Sequence, residues 1–134
     1  MDNEIRKDFF VMVVEDYVDI AALPVPVKRY LIGHEYNVAV RLSEDRYLKA
    51  SENEDYEYIH SHRISNRNEI AEQMAVKHAV SAATISKYGA FARILEEIYL
   101  RNVSIAKSVL DEKTHLSQKD LKSLSKSLQE GSDK

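Results

Sequence analysis

Two prolines, Pro24 and Pro26, stand near the start of this 134-residue chain, and none occurs after them. With only three glycines besides, the backbone beyond them has almost no residue that forces a sharp reversal, so long helices joined by few tight turns are the expected way to compact it. The residue before each proline is pushed toward extended geometry, which places a break near 23–26 and ends a first helix there. A chain that is 44% hydrophobic and 31% charged has the balance of a folded globule and can bury a core without staples. The expected fold is therefore all-α: a compact helical domain of five or six helices over residues 1–128, with 129–134 a frayed tail.

Hydrophobic spacing locates the helices. Residues 4–22, EIRKDFFVMVVEDYVDIAA, bring Ile5, Phe9, Met12, Val13 and Asp16 onto one stripe with Phe10, Val14 and Tyr17 beside it. The run from Phe9 to Val14 also suits a buried strand; helix is favoured. Over 27–42 the spacing of Tyr30 or Leu31, His34, Val38 and Leu42 gives a second helix, in which Gly33 costs about 1 kcal/mol unless close packing needs a bare backbone. Residues 43–62 are polar and acidic, and are expected to form a long loop or a small hairpin. Asn66 and Glu69 have the spacing of a reciprocal helix cap, with Ile70, Met74, Ala75 and His78 after it. Ser81 caps the next helix, whose stripe is Ile85, Tyr88, Ala92, Leu95 and Tyr99. A short helix through Ile105–Leu110 comes next, then one that opens on a second capping pair, Ser117 and Asp120, and carries Leu121, Leu124 and Leu128.

The absence of cysteine removes disulfides and thiolate metal sites. MDNEIRKDFF lacks the basic-then-apolar layout of a secretory signal, and no apolar run nears the roughly 18 residues of a membrane span, so a cytoplasmic home and no membrane contact are expected. The net charge of −3 hides an asymmetry. Residues 1–60 carry 7 basic and 13 acidic groups, whereas 61–107 carry 7 and 4. Tyr47, Tyr56 and Tyr58 among Glu52, Glu54, Asp55 and Glu57 make a negative segment that reads as a solvated linker or as a contact surface for a protein partner.

The basic excess coincides with AVKHAVSAATISKY, residues 75–88, which has the small residue, tight turn and locking apolar residue of a helix-turn-helix, here Ala75, Ala79 and Ile85. The motif spans about 66–100. Ala82, Thr84, Ser86 and Lys87 are then expected to face outward, Thr84, Ser86 and Lys87 toward base edges and Ala82 toward a thymine methyl, with Ser81 at the cap. Arg67, Lys77 and Arg93 are the candidate phosphate contacts. Double-stranded DNA is the expected partner, and a homodimer on two half-sites the expected state, because one such motif covers only a few base pairs.

The same stretch resembles the Ala, three residues, Gly, Val, Ser, two residues, Thr, Ile pattern of prokaryotic helix-turn-helix proteins, with Ala79 where glycine is usual. KRYLIGHEYN at 28–37, NEIAEQMAVKHAVSAATISKYGAFARILEEI at 68–98 and AKSVLDEKTHLSQKDLKSLSK at 106–126 are together similar in order to the central DNA-binding domain of ParB-like partition and plasmid or phage regulatory proteins, over about 28–126. The resemblance implies that the stretch after Ser81 is a recognition helix and that the segments beyond 106 brace it. The family's N-terminal nucleotide-binding or nuclease-like domain has no counterpart in this sequence. No Gly-Glu-Arg-Arg-type arginine box occurs, so neither nucleotide-driven closure nor nuclease activity is implied.

Other chemistry finds little footing. His34-Glu35 begins a His-Glu-x-x-His motif whose second histidine is replaced by Val38. His60 and His62 would share a face only on a strand. Ser81 lacks a nucleophile's Gly-x-Ser-x-Gly turn, and no phosphate loop is present, so neither an enzyme, a metal nor a cofactor is expected. The competing reading is a small helical protein–protein interaction module that uses the same hairpin only for packing.

Overall fold

The computed structural model describes residues 3–19, 22–50, 56–112 and 117–132, with side chains throughout these except at 3, 46–50, 56–65 and 130–132. Six helices succeed one another among the described residues: α1 (Asn3–Tyr17), α2 (Val25–Ala50), α3 (Tyr56–His78), α4 (Ala82–Arg101), α5 (Val103–Leu110) and α6 (Gln118–Ser132). No strand occurs among the described residues, so the chain is all-α. None of these helices is long and apolar enough to cross a membrane.

Helix α1 already ends at Tyr17, before the break near 23–26 that the prolines were expected to impose, and the prolines instead stand at the start of the second helix. Pro26 lies in the first turn of α2, where its missing N–H has no helical partner to lose, and the Pro24 carbonyl accepts from the N–H groups of Val27 and Lys28 at 3.1 and 3.2 Å. At the far end, the Ser117 and Asp120 pair closes reciprocally: Asp120 N–H donates to Ser117 Oγ at 3.1 Å, and Ser117 N–H donates to the Asp120 carboxylate at 3.3 Å. Asn102 separates α4 from α5 and caps α5 by accepting the Ile105 N–H at 3.1 Å.

The expected loop at 43–62 is corrected by the structure. Helix α2 continues to Ala50 and α3 already runs from Tyr56, while 51–55 lie outside the described residues. Residues 43–50 contain neither glycine nor proline and are rich in good helix formers, so their polarity does not break the helix. For the same reason Asn66 is not a cap. It sits in mid-helix and its amide donates to Ser43 Oγ on α2. Likewise α6 extends through Ser132, into the segment expected to fray.

The chain divides into two compact units, Met1–Leu31 with Ala90–Lys134, and Ile32–Gly89. The reason lies in the cores, because the buried side chains form two separate clusters. In the first unit Phe9, Val13, Val27, Tyr30, Ala92, Leu95 and Ile98 are fully buried, with Leu121 of α6 among them. Phe9 stands at its centre, edge-on to Tyr30 at 4.8 Å and stacked on Tyr99 at 4.7 Å. Burial, and then the charge of Glu96, push the Tyr30 hydroxyl well above the ordinary tyrosine range, so it stays neutral.

In the second unit Tyr36, Val40, Ala71, Met74 and Ile85 form the core. Here α2 and α4 meet backbone to backbone. A Cβ on Gly33 would lie 2.0 Å from the Tyr88 carbonyl oxygen, and one on Gly89 would lie 2.8 Å from the Tyr36 ring. Asn37 bonds across this contact, its amide donating to the Gly89 carbonyl at 3.0 Å. The start of α4 is thereby fixed against α2.

Candidate nucleic-acid interface

Helix α3 ends in a Schellman turn. The Val80 N–H donates to the Ala75 carbonyl at 3.0 Å and the Ala79 N–H to the Val76 carbonyl at 3.4 Å, the two bonds that satisfy orphan carbonyls at such an end. Ala79 adopts φ 57°, the left-handed conformation in which a Cβ costs roughly 1–2 kcal/mol. Ala75 and Val80 both pack on the second core cluster, which supplies the apolar contact that accompanies the motif. Replacing Ala79 by glycine is expected to raise stability by about 1 kcal/mol, after allowing for glycine's looser unfolded chain. The midpoint of urea denaturation reads this out, and a lowered midpoint would contradict the left-handed turn.

Ser81 then starts α4 by accepting the Thr84 N–H on its hydroxyl oxygen at 3.1 Å, and the two hydroxyls lie 2.8 Å apart. One full turn on, Ile85 is completely buried between the helices. Cap and lock together decide which side of α4 faces solvent. Ser86 and Lys87 are exposed, as their spacing implied. Ala82 is not: it packs against the second cluster, because it lies three residues before Ile85 on the same side of the helix. Thr84 is half-buried with its hydroxyl turned to Ser81. The outward strip is therefore Ala83, Ser86 and Lys87, at i, i+3 and i+4. Sequence reasoning missed Ala83, although counting three back from Ser86 would have found it.

The expected phosphate contacts have different surroundings. Arg67 is exposed on α3 but held by Glu44 of α2, with Nε at 2.9 Å and a terminal nitrogen at 2.8 Å from the same carboxylate oxygen. Lys77 is paired with Glu35 at 2.5 Å. Arg93 is exposed in the part of α4 that belongs to the first unit. Exposed Glu69 and Glu72 lie on α3 as well. Glu44 was not singled out in the sequence, and Glu35 only as part of the incomplete His-Glu-x-x-His motif, since a carboxylate 23 or more positions from its partner leaves no local pattern.

Glu35 also faces His78, 3.2 Å from Nε2. The hydrogen bond from Lys77, and then that from His78, hold the Glu35 carboxyl below its ordinary range despite partial burial. A depressed carboxyl adds stability above its unfolded value, near 4.3, and loses it as the pH falls further. With Glu35 43% exposed, screening keeps this to less than about 1 kcal/mol.

The strand that would have put His60 and His62 on one face is not formed. The backbone there is α-helical, which sets residues two apart about 200° around the axis, and their side chains lie outside the described residues. The side chains of Tyr47, Tyr56, Tyr58, Glu52, Glu54, Asp55 and Glu57 lie outside them too. Comparison with protein-family models, with curated proteins and with solved structures finds no match for the chain.

Proposed function

We propose that this protein binds double-stranded DNA in a sequence-specific manner, as a regulatory or partition factor of ParB-like helix-turn-helix type. The observation that carries the reading is the junction of α3 and α4: a left-handed residue at 79, a serine cap at 81 and a buried lock at Ile85. These are the parts that let a second helix project its first two turns into a major groove while the first helix crosses the backbone. Ala83, Ser86 and Lys87 are then the side chains that reach base edges, Ala83 toward a thymine methyl, with Ser86 and Lys87 toward polar edges. Ser81 and Thr84 hold the helix start, and Arg67 and Lys77 exchange Glu44 and Glu35 for phosphates. One such helix covers few base pairs, so binding is by a homodimer on two half-sites about one DNA turn apart.

Selection of bound fragments from a random duplex pool, with sequencing of the survivors, tests this. The wild-type chain is expected to enrich one motif with two-fold symmetry, and the Ser86→Ala, Lys87→Ala double variant to lose it while remaining folded. Each lost base contact should relax one position by about 1–3 kcal/mol. Absence of any enrichment by the wild type would overturn the reading.

A second reading, a helical protein–protein interaction module, is favoured by one observation. Val11, Val14 and Val18 recur at i, i+3 and i+7 on α1 and its C-terminal end, and are 41%, 41% and 69% exposed. Failure to enrich DNA together with a stable protein complex lost on Val14→Asp would select that reading.

A further inference from the structure

Helix α6 carries a basic strip. Lys119, Lys122 and Lys126 recur at i, i+3 and i+7 and are all exposed, and none of them is in an ion pair among the described residues. Exposed Ser123 and Ser127 border them. The orientation of this strip is set from the opposite side. Leu121 is buried, Leu124 and Leu128 pack on the first core cluster, and buried Ser125 donates from its hydroxyl to Glu97 of α4 at 3.2 Å. Asp120, next to Lys119 in the sequence, accepts from the Ser117 backbone N–H in the reciprocal cap.

We propose that this strip is a second, sequence-independent contact of the protein with the phosphate backbone of duplex DNA. The inference rests on the DNA-binding reading above. Three features select this partner. At 1.5 Å rise per residue the lysines step by roughly 4.5 and 6 Å along the axis, a row of cations suited to a row of regularly spaced phosphates. Their ammonium groups meet phosphate without giving up a carboxylate, unlike Arg67 and Lys77, which must each exchange one. The apolar side of α6 is consumed by the core, so the helix has nothing to insert among acyl chains, which disfavours a lipid surface. With hydroxyls rather than shape-forming side chains beside the lysines, the strip adds affinity without discriminating sequence.

The test is the salt dependence of binding to two duplexes of about 30 base pairs, long enough to span two half-sites with flanking phosphates, one carrying the selected motif and one of unrelated sequence. It is run with the full chain, with the Lys119→Gln, Lys122→Gln, Lys126→Gln variant, and with the corresponding triple arginine variant. Because all three positions are solvent-facing, the fold should be unchanged, and thermal denaturation checks this. Each phosphate contact contributes about 0.9 to the slope of log affinity on log salt, so the glutamine variant is expected to flatten the slope by about 2 to 3 on both duplexes equally. The arginine variant should restore it.

An unchanged slope in the glutamine variant, with the motif still recognised and still lost in the Ser86→Ala, Lys87→Ala variant, would overturn the α6 contact and leave the DNA reading standing. A wild-type chain that binds neither duplex would overturn both. Loss of binding to phosphatidylserine-containing vesicles in the glutamine variant, with duplex binding intact, would assign the strip to anionic lipid and overturn the proposal.

Discussion

Gly33→Ala is expected to destabilise the protein by at least about 3 kcal/mol, although helix propensity alone has the same change stabilising it by about 1 kcal/mol. The two expectations differ in sign because they come from different levels of structure. In an isolated helix the added methyl only restricts the unfolded chain, which favours folding. In this protein it meets the Tyr88 carbonyl oxygen 2.0 Å away, and that atom belongs to the backbone of α4 and cannot rotate aside. Relief requires α4 to move off α2, which would strip the Asn37 bond to Gly89 and open the cluster around Ile85.

Gly89→Ala supplies the control. Its methyl would press on the Tyr36 ring at 2.8 Å and the Asn37 side chain at 2.9 Å, groups that can shift, so the loss should be smaller. Chemical denaturation monitored by helical circular dichroism separates the cases. A Gly33→Ala variant as stable as wild type or more so would rule out the backbone contact. Since that contact also fixes the start of α4, the DNA-binding reading proposed above has the variant lose duplex binding along with stability.

The second large effect is expected in the other unit. Phe9→Ala removes a fully buried ring that contacts two others, and should cost about 3–5 kcal/mol, a large share of the roughly 5–15 kcal/mol that typically holds a domain together. Val14→Ala, farther along the same helix, should change stability by no more than about 0.5 kcal/mol because Val14 is already 41% exposed. The pair discriminates sharply, since the apolar run FFVMVV holds both residues. Similar losses at the two positions in a denaturant titration would show that α1 packs by another face.

Much of this architecture was legible in the chain. The all-α class comes from the scarcity of glycine and proline, and the caps at Ser81 and Ser117 were readable because the capping residue and the N–H it accepts lie three residues apart, within reach of a sequence pattern. The left-handed turn at residue 79 belonged to the same local class, recognisable even with alanine in place of glycine. Where local signals competed with context, they misled. Asn66 and Glu69 have the spacing of a cap, but the backbone before them was already helical, and Asn66 found its partner 23 residues away in Ser43.

Short-range physics, readable along the chain, thus settled that the fold is helical, where α4 and α6 start, and that Ile85 points inward. Long-range packing set everything else. It made two cores where composition suggested one, turned Ala82 inward, and engaged Arg67 and Lys77 with Glu44 and Glu35. It also made Gly33 indispensable and turned the α6 lysines to solvent. One cause is common to all of these: each depends on atoms brought together from distant positions in the chain, and a backbone-to-backbone approach or a long-range ion pair leaves no periodicity from which to read it.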